Sequence, residues 1–343
     1  MTASDPPRLS AFSTGGASPA FATPLTNVHA TGVGVRVRGG KVIPDEFVIK
    51  VYVFEKLKLG KETPDLMKSF GDIQVDVEPL PVQLASARTP RRLSRRESRA
   101  QAAPVVEIEN RKRFRPIPGG VSISPLNARY VGTLGCFVKG VSAGAEQIFA
   151  LSNNHVLADV NSLPIGTMIV QPGPEMGSTS QEDVFAALSS FLPVRFAATR
   201  FERLSNFFDA AIAQVSDLTK ISRGSIFGVA NYDPTLDAPL PGMEVTKSGR
   251  TTGVTDGIIT AVHVNSVQIN YGTQANPRIA VFDDTIEIVS EGDQPFSLPG
   301  DSGSVIVNKT NGRPVALLFA GDGRTTTACD MGGLCRQLQV VPV

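Results

Sequence analysis

The sequence has no tryptophan, only three cysteines and three histidines, and a formal net charge of +1 over 343 residues. The cysteines are Cys136, Cys329 and Cys335; they form no CxxC pair, and an odd, sparse set is not a disulfide framework. A nearly neutral chain gives no electrostatic reason to expect nucleic acid as its main partner. We therefore expect unpaired thiols in a reducing compartment and no nucleic-acid partner.

Long apolar runs and a targeting segment are also missing. No stretch approaches the roughly 20 apolar residues that a membrane span needs. The first thirty residues are rich in Ala, Ser, Thr and Pro, and they lack the basic start and apolar stretch of a secretory signal. No two histidines have ligand spacing, so no metal or other cofactor is expected. These absences predict a cytoplasmic protein without a membrane partner, and leave self-association into a homo-oligomer open.

Glycine and proline are abundant, with 32 and 25 residues, and 41% of the residues are hydrophobic. That composition favours short strands joined by tight turns over a helical bundle. From residue 117 to 343, apolar segments of strand length alternate with Gly-rich turns, and helical periodicity is weak. We expect this part to be a mainly β domain of the sandwich or barrel type.

The chain before residue 117 divides by composition into three parts. Residues 1–28 are predicted to be a disordered lead-in. Residues 29–83 read as a small α+β domain of three strands and a short helix opening at Thr63-Pro64. Residues 84–116 contain an Arg-rich stretch with few apolar side chains, which predicts a solvated linker that other proteases could cleave.

Two residues at predicted strand ends could serve a nucleophilic serine as base and orienting carboxylate. His155 follows the apolar segment 148–151, where an imidazole could equally be structural. Asp209 stands between two phenylalanines and an apolar strand; it either caps a turn or pairs with the Nδ1–H of His155. His29 and His263 are expected to be structural.

The strongest local signal is Gly300-Asp301-Ser302-Gly303. Glycines on both sides of Ser302 permit a tight turn that exposes the hydroxyl and directs amides at a developing oxyanion. The segment is not the G-x-S-x-G elbow of α/β-hydrolases, because position 304 is Ser. The assignment of Ser302 as a nucleophile is supported by the order His155, Asp209, Ser302 along a β-rich region.

The segments that contain His155, Asp209 and Ser302 together resemble the trypsin-like serine proteases of the chymotrypsin fold. Several other segments are similar to the intracellular narrow-leaf type of that family and its bacterial relatives. They are residues 115–122, 132–135 and 247–253, and the predicted N-terminal strands around 32–54. The resemblance covers residues 117–343. It implies a double six-stranded β-barrel preceded by the small α+β domain.

The resemblance also implies roles. His155, Asp209 and Ser302 would form the catalytic triad of a serine endopeptidase acting on protein or peptide substrates, with the amides of Gly300 and Ser302 as the oxyanion hole. Further residues would bind the substrate: Phe296 at the pocket base, and Phe319, Ala320 and Gly321 as a strand edge for an extended peptide.

Two points are left open by the resemblance. The first is the partner of the Asp301 carboxylate, because the chain shows no activation sequence that would supply one. The second is the substrate specificity: Phe296 at the pocket base argues against a strict preference for Arg or Lys, although Asp293 is close in the sequence. Two alternatives to an endopeptidase keep the same fold: a catalytically weak peptide-binding or scaffold protein, and an esterase that uses the same triad.

Overall fold

The computed structural model describes residues 27–54, 69–84, 108–142, 146–174, 180–197, 204–273 and 275–343. The predicted lead-in over 1–28, apart from its last two residues, the predicted helix at 63–67 and the Arg-rich stretch 88–99 lie outside the described residues. Five strands come first: β1 (Val28–Arg38), β2 (Lys41–Val53), β3 (Ser69–Phe70), β4 (Ile73–Pro79) and β5 (Gln83–Leu84).

Strands β1 and β2 form a hairpin because two glycines occupy its turn. Gly39 and Gly40 have φ of 58° and 78°, the left-handed values that a two-residue hairpin turn requires, and Arg38 pairs with Lys41 on either side of them. Strand β4 then pairs with β2 in parallel. The sequence pattern predicted strands over all three stretches.

The next part of the chain contains most of the strands of an open sheet. Its elements are β6 (Ile117–Gly119), β7 (Ser122–Pro125), β8 (Gly132–Thr133), β9 (Phe137–Gly140), β10 (Ile148–Ser152), α1 (Asn154–Leu157), β11 (Met168–Val170), β12 (Val184–Phe191), β13 (Ser205–Asn206), β14 (Ala211–Val215) and β15 (Ile221–Ile226). Short 3₁₀ turns lie at Glu109–Arg111, Gln181–Asp183 and Leu218–Lys220.

The last part contains a closed barrel. Its elements are β16 (Glu244–Gly249), β17 (Gly253–Asn265), β18 (Val267–Asn270), β19 (Ile279–Phe282), β20 (Thr285–Ser290), β21 (Val305–Asn308), β22 (Pro314–Gly321), β23 (Thr325–Asp330), α2 (Met331–Leu338) and β24 (Val340–Pro342). Six antiparallel pairings close the ring in the order β16, β17, β20, β23, β22, β21 and back to β16.

The first half of the protease-like region is a half-barrel. Its strand order is β24, β9, β10, β14, β12, β11, β7 and β8, and no pairing among the described residues joins β24 to β8. Instead, the amide of Thr133 in β8 donates to the carbonyl of Ser302 at 2.9 Å, across to the other barrel. The mainly β, chymotrypsin-like double barrel expected from the sequence is therefore confirmed, with one barrel closed and the other a half-barrel.

The strands before residue 84 extend the sheet of the closed barrel. Strand β1 pairs antiparallel with β17, and a buried lysine secures the contact, because Lys50 Nζ lies 3.0 Å from Glu287 and 3.2 Å from Glu78. These carboxylates raise the pKa of Lys50 despite its burial. The boundaries of a separate α+β domain stay a prediction, since β1, β2 and β4 belong to one continuous sheet with the barrel.

Three apolar clusters form the core, and one of them joins the two barrels. One fills the half-barrel, another fills the closed barrel, and a third contains residues of both, among them Leu151, Ile212 and Phe319. The catalytic candidates lie beside this third cluster. In the part of the chain that the structure describes, no helix has the length and apolar character to cross a membrane.

Candidate active site

The pairing of β10 with β14 brings His155 and Asp209 together. Ser152, the last residue of β10, lies opposite Ala211, the first residue of β14. His155 lies three residues after the end of β10, and Asp209 lies two residues before the start of β14. The side chain of Asn153 fixes the junction by donating to the carbonyl of Asp209 at 2.7 Å.

The carboxylate of Asp209 holds the imidazole in one orientation. His155 Nδ1 donates to Oδ2 at 2.6 Å, and the backbone amide of His155 donates to Oδ1 at 3.1 Å. Asp209 is fully buried. Since Nδ1 carries the proton toward the carboxylate, Nε2 of a neutral ring is left as an acceptor.

A third group, Tyr271, completes this pair. Its hydroxyl donates to Asp209 Oδ2 at 2.7 Å, and its ring meets that of His155 edge-on, with centroids 6.0 Å apart. Burial, and then the neighbouring carboxylate, raise the pKa of Tyr271 well above its ordinary value, so it stays a donor. Tyr271 follows β18 directly, and no local sequence signal distinguishes it from a core tyrosine.

Ser302 lies in a turn that requires its glycines. Gly300 and Gly303 have φ of 103° and 95°, which an L side chain rarely adopts. A Cβ at Gly303 would collide with Ser152 Oγ and the carbonyl of Thr133. The turn therefore packs directly on the end of β10, the strand that leads to His155.

Asp301 has a complete set of internal partners. Its carboxylate accepts from the amides of Leu298, Thr251 and Thr252 at 2.9, 2.7 and 3.1 Å, and from the Thr252 hydroxyl at 2.8 Å. Lys247 Nζ lies 3.7 Å from Oδ2, and both side chains are fully buried. Burial lowers the pKa of Lys247, and the Asp301 carboxylate opposes that effect.

This arrangement assigns the partner that the sequence left open. The ammonium comes from Lys247 in β16, so the turn before Ser302 is held by groups already in the chain. The segment 247–253 was noted for its family resemblance, but nothing in its spacing connects it with Asp301.

The atoms that a catalytic triad would use are unpaired. Among the described residues, His155 Nε2 is buried without a hydrogen-bond partner, and the Ser302 hydroxyl makes no hydrogen bond to it. In the same part of the chain, the amides of Gly300 and Ser302 donate to no protein acceptor. Catalytic hydrogen bonds are often long in a free enzyme and tighten when substrate binds. The site thus presents a free acceptor, a free hydroxyl and two free donors.

A cleft of about 170 Å³ opens beside Ser302. It is lined by Ser297, Leu298, Pro299, Leu318, Ala320, Gly321, Asp322 and Gly323 together with Ser302. Ala320 and Gly321 were predicted to bind substrate, and they are part of this lining. The side chain of Phe319 instead packs in the core, with its ring 4.7 Å from that of Phe282.

The structure places Phe296 in the core of the closed barrel, 1% exposed, with Lys247 Nζ 5.9 Å from its ring centroid. The next residue, Ser297, lines the cleft in its place and shares a hydrogen bond of 2.6 Å with Thr326. Asp293 is exposed in a loop and is not part of the lining.

The other two histidines lie away from this site. His29 is buried in β1, where its ring stacks on Phe54 with centroids 4.1 Å apart and Nε2 bonds the carbonyl of Leu80 at 2.8 Å. His263 is exposed in β17 and bonds Asp284 at 2.6 Å. Among the described residues, no cluster of His, Cys, Asp and Glu has a metal-binding arrangement.

Comparison with known proteins identifies the family. The model of the Nal1 C-terminal domain matches residues 115–329 of the 343, which is more than half of the chain. The chain belongs to this family. A curated relative is the rice protein NARROW LEAF 1 (Oryza sativa subsp. japonica), which is 29% identical over 226 residues. The match covers 59% of this chain but only 36% of that protein, so the chain spans about a third of its relative's length.

Similar solved structures are proteases. Protease A of Thermobifida fusca is 16% identical, with 66% of this chain and 98% of that chain covered and a TM-score of 0.44. The Nocardiopsis protease is 13% identical, with 66% and 99% covered and a TM-score of 0.43. The strand pairing described above, rather than these scores, defines the fold.

Proposed function

We propose that the protein is a serine endopeptidase in which His155, Asp209 and Ser302 act as the catalytic triad. The observation that carries the proposal is the buried contact of 2.6 Å between His155 Nδ1 and Asp209 Oδ2, with Nε2 left without a partner. A buried carboxylate that orients an imidazole while its second nitrogen stays free is the arrangement of a general base.

The reaction follows from these positions. The Ser302 hydroxyl attacks the scissile carbonyl carbon, and its proton passes to His155 Nε2 while Asp209 stabilises the imidazolium. The amides of Gly300 and Ser302 would bind the oxyanion of the tetrahedral intermediate. The C–N bond then breaks as Nε2 returns the proton to the leaving amine. Water hydrolyses the acyl-enzyme by the same steps and restores Ser302.

The cleft favours an uncharged side chain in the substrate residue before the scissile bond. Its walls include Leu298 and Leu318, and the hydroxyls of Ser297 and Thr326 bond each other. The only carboxylate among the described lining residues belongs to Asp322, which is exposed and accepts from the amides of Arg324 and Thr325 through Oδ1 alone, at 2.8 and 2.7 Å. A lysine or arginine would therefore meet no buried carboxylate in this cleft.

A peptide library tests the proposal. The wild-type protein is incubated with defined peptides, and the products are identified by mass spectrometry, with Ser302→Ala as the matched inactive control. We expect endoproteolytic products from the wild type alone, after uncharged residues. Strong cleavage only after Arg would overturn the expected specificity. Products that are equal with Ser302→Ala would overturn the proposed nucleophile.

Two alternatives are separated by the same samples. An esterase would hydrolyse acyl esters and leave every peptide intact. A peptide-binding or scaffold protein is favoured by one observation, the absence of a hydrogen bond between the Ser302 hydroxyl and His155 Nε2. It would bind peptides saturably and show neither peptide nor ester hydrolysis.

A further inference from the structure

The two edges of β22 have different backbone partners along the strand. One edge of this strand pairs with β23, where Gly321 lies opposite Thr326. The other edge pairs with β21 as far as Leu317, and the next residue, Leu318, bonds the nucleophile turn through the amide of Gly303 at 2.9 Å. Beyond that turn, the edge beside the cleft is where an extended peptide would be added.

The chain itself supplies a strand at this edge. In β5, Leu84 pairs antiparallel with Gly321 of β22. Gly321 also lines the cleft beside Ser302. Since Thr326 already takes the inner edge of Gly321, β5 must lie along the outer edge.

Strand β5 is fixed by its surroundings on two further sides. It pairs in parallel with β18, with Ile269 opposite Gln83 and Asn270 opposite Leu84. The side chain of Gln83 is fully buried and accepts a hydrogen bond from the Thr327 hydroxyl of β23. Strand β5 therefore bridges β18 and the barrel, and it is part of the folded sheet.

We propose that β5 is a built-in occupant of the peptide-binding edge and limits how much of a substrate this protein recognises. This inference rests on the proposed function. Leu318 already bonds the nucleophile turn through its amide and its carbonyl. A substrate peptide therefore pairs with β22 at Phe319 and Ala320, and reaches Gly321 only if β5 leaves. Lengthening the peptide on its N-terminal side therefore adds little to recognition by the native protein.

The test compares a short and a long substrate of the full-length protein. The substrates are acetyl-Ala-Leu-p-nitroanilide and acetyl-Ala-Ala-Ala-Leu-p-nitroanilide. Two variants weaken β5: Gln83→Ala removes the bond to Thr327, and Leu84→Pro removes the amide of residue 84. A control, Ile73→Pro, alters an exposed first residue of β4, another strand of the N-terminal region. Thermal unfolding of every variant checks the fold.

We expect kcat/KM of the wild type and of Ile73→Pro to change less than about three-fold on lengthening the substrate. In Gln83→Ala and Leu84→Pro, the long substrate should gain about ten-fold over the short one, the size expected when a pair of backbone hydrogen bonds is regained. A large gain already present in the wild type, or no gain in either folded variant, would overturn the inference.

A binding measurement separates this inference from the proposed function. Acetyl-Ala-Leu and acetyl-Ala-Ala-Ala-Leu, as free acids, are titrated calorimetrically into Ser302→Ala protein with and without the β5 variants. Tighter binding of the long peptide only in the β5 variants supports the occupied edge, whether or not any peptide is hydrolysed. Equal binding of both peptides in all proteins, alongside normal hydrolysis by the wild type, overturns the inference and leaves the endopeptidase intact.

Discussion

The hydroxyl of Tyr271 donates to Oδ2 of Asp209 at 2.7 Å, the same oxygen that receives the Nδ1 proton of His155 at 2.6 Å. One carboxylate oxygen is thus shared between His155 and a tyrosine from the turn after β18. Tyr271 touches no reacting atom, so we regard it as a positioning residue for Asp209. Hydrogen bonds to a charged acceptor contribute about 1.5–3 kcal/mol each.

Replacing Tyr271 with Phe should lower kcat about ten-fold and leave KM within about two-fold of the wild type. Without the hydroxyl, Asp209 is held less firmly and orients the imidazole of His155 less well in the transition state. The control is Tyr130→Phe, which removes a buried hydroxyl that has no partner among the described residues. A rise in KM with an unchanged kcat, or an unchanged kcat/KM, would contradict this positioning role.

Lys247→Met should lower kcat/KM at least ten-fold, because it leaves Asp301 buried beside Ser302 without its ion-pair partner. Breaking one side of a buried ion pair costs about 3–5 kcal/mol. Asp301→Asn and the double variant complete a double-mutant cycle, read both in kcat/KM and in the free energy of unfolding. We expect the double variant to lose less than the sum of the single losses. Simple additivity would show that the two residues act independently.

Gly300→Ala should reduce kcat about 100-fold, the size of losing one oxyanion donor. The added Cβ would collide with Thr251 Oγ1, and φ of 103° already disfavours an L residue. Gly166→Ala is the matched control, because Gly166 has φ of 91° and nothing within 4 Å of an added Cβ. Equal activity of the two variants would show that the amide of Gly300 does not bind the oxyanion.

His29 should make the protein less stable as the pH falls. Burial lowers the pKa of His29 below its ordinary value of 6.5. Below pH 6.5 the unfolded chain therefore binds a proton that the folded chain does not, and the free energy of unfolding decreases by up to about 1.4 kcal/mol per pH unit. His29→Gln keeps a donor for Leu80 but cannot titrate. Denaturant unfolding between pH 7.5 and 5.5 should show a smaller decrease for His29→Gln, and equal decreases would contradict the prediction.

The sequence was most informative where a residue's neighbours determine its position. His155 and Asp209 each lie next to a strand end, and Ser302 lies between glycines whose positive φ the turn requires. Local pattern made them candidates, and their order in the chain together with the family resemblance selected them. Whether the three act together in catalysis stays a prediction for the experiments above.

Contacts made by distant segments were not readable in the same way. Tyr271 reaches Asp209 from 62 positions away, and Lys247 reaches Asp301 across the barrel, because strand pairing brings them there. The resemblance assigned the pocket base to Phe296 from its position in the chain. The chain bends at Phe296, whose side chain lies in the core, and the next residue, Ser297, lines the cleft.

The most direct test of the account is the site of fluorophosphonate labelling and its dependence on Ser302 and His155. Wild-type protein, Ser302→Ala and His155→Ala are treated with a fluorophosphonate probe, and the adduct is quantified by intact mass and located by peptide mapping. The account predicts one adduct per chain on Ser302 in the wild type, a much slower reaction in His155→Ala and none in Ser302→Ala. Undiminished labelling of Ser302→Ala, or an unlabelled wild type that is correctly folded, would contradict it.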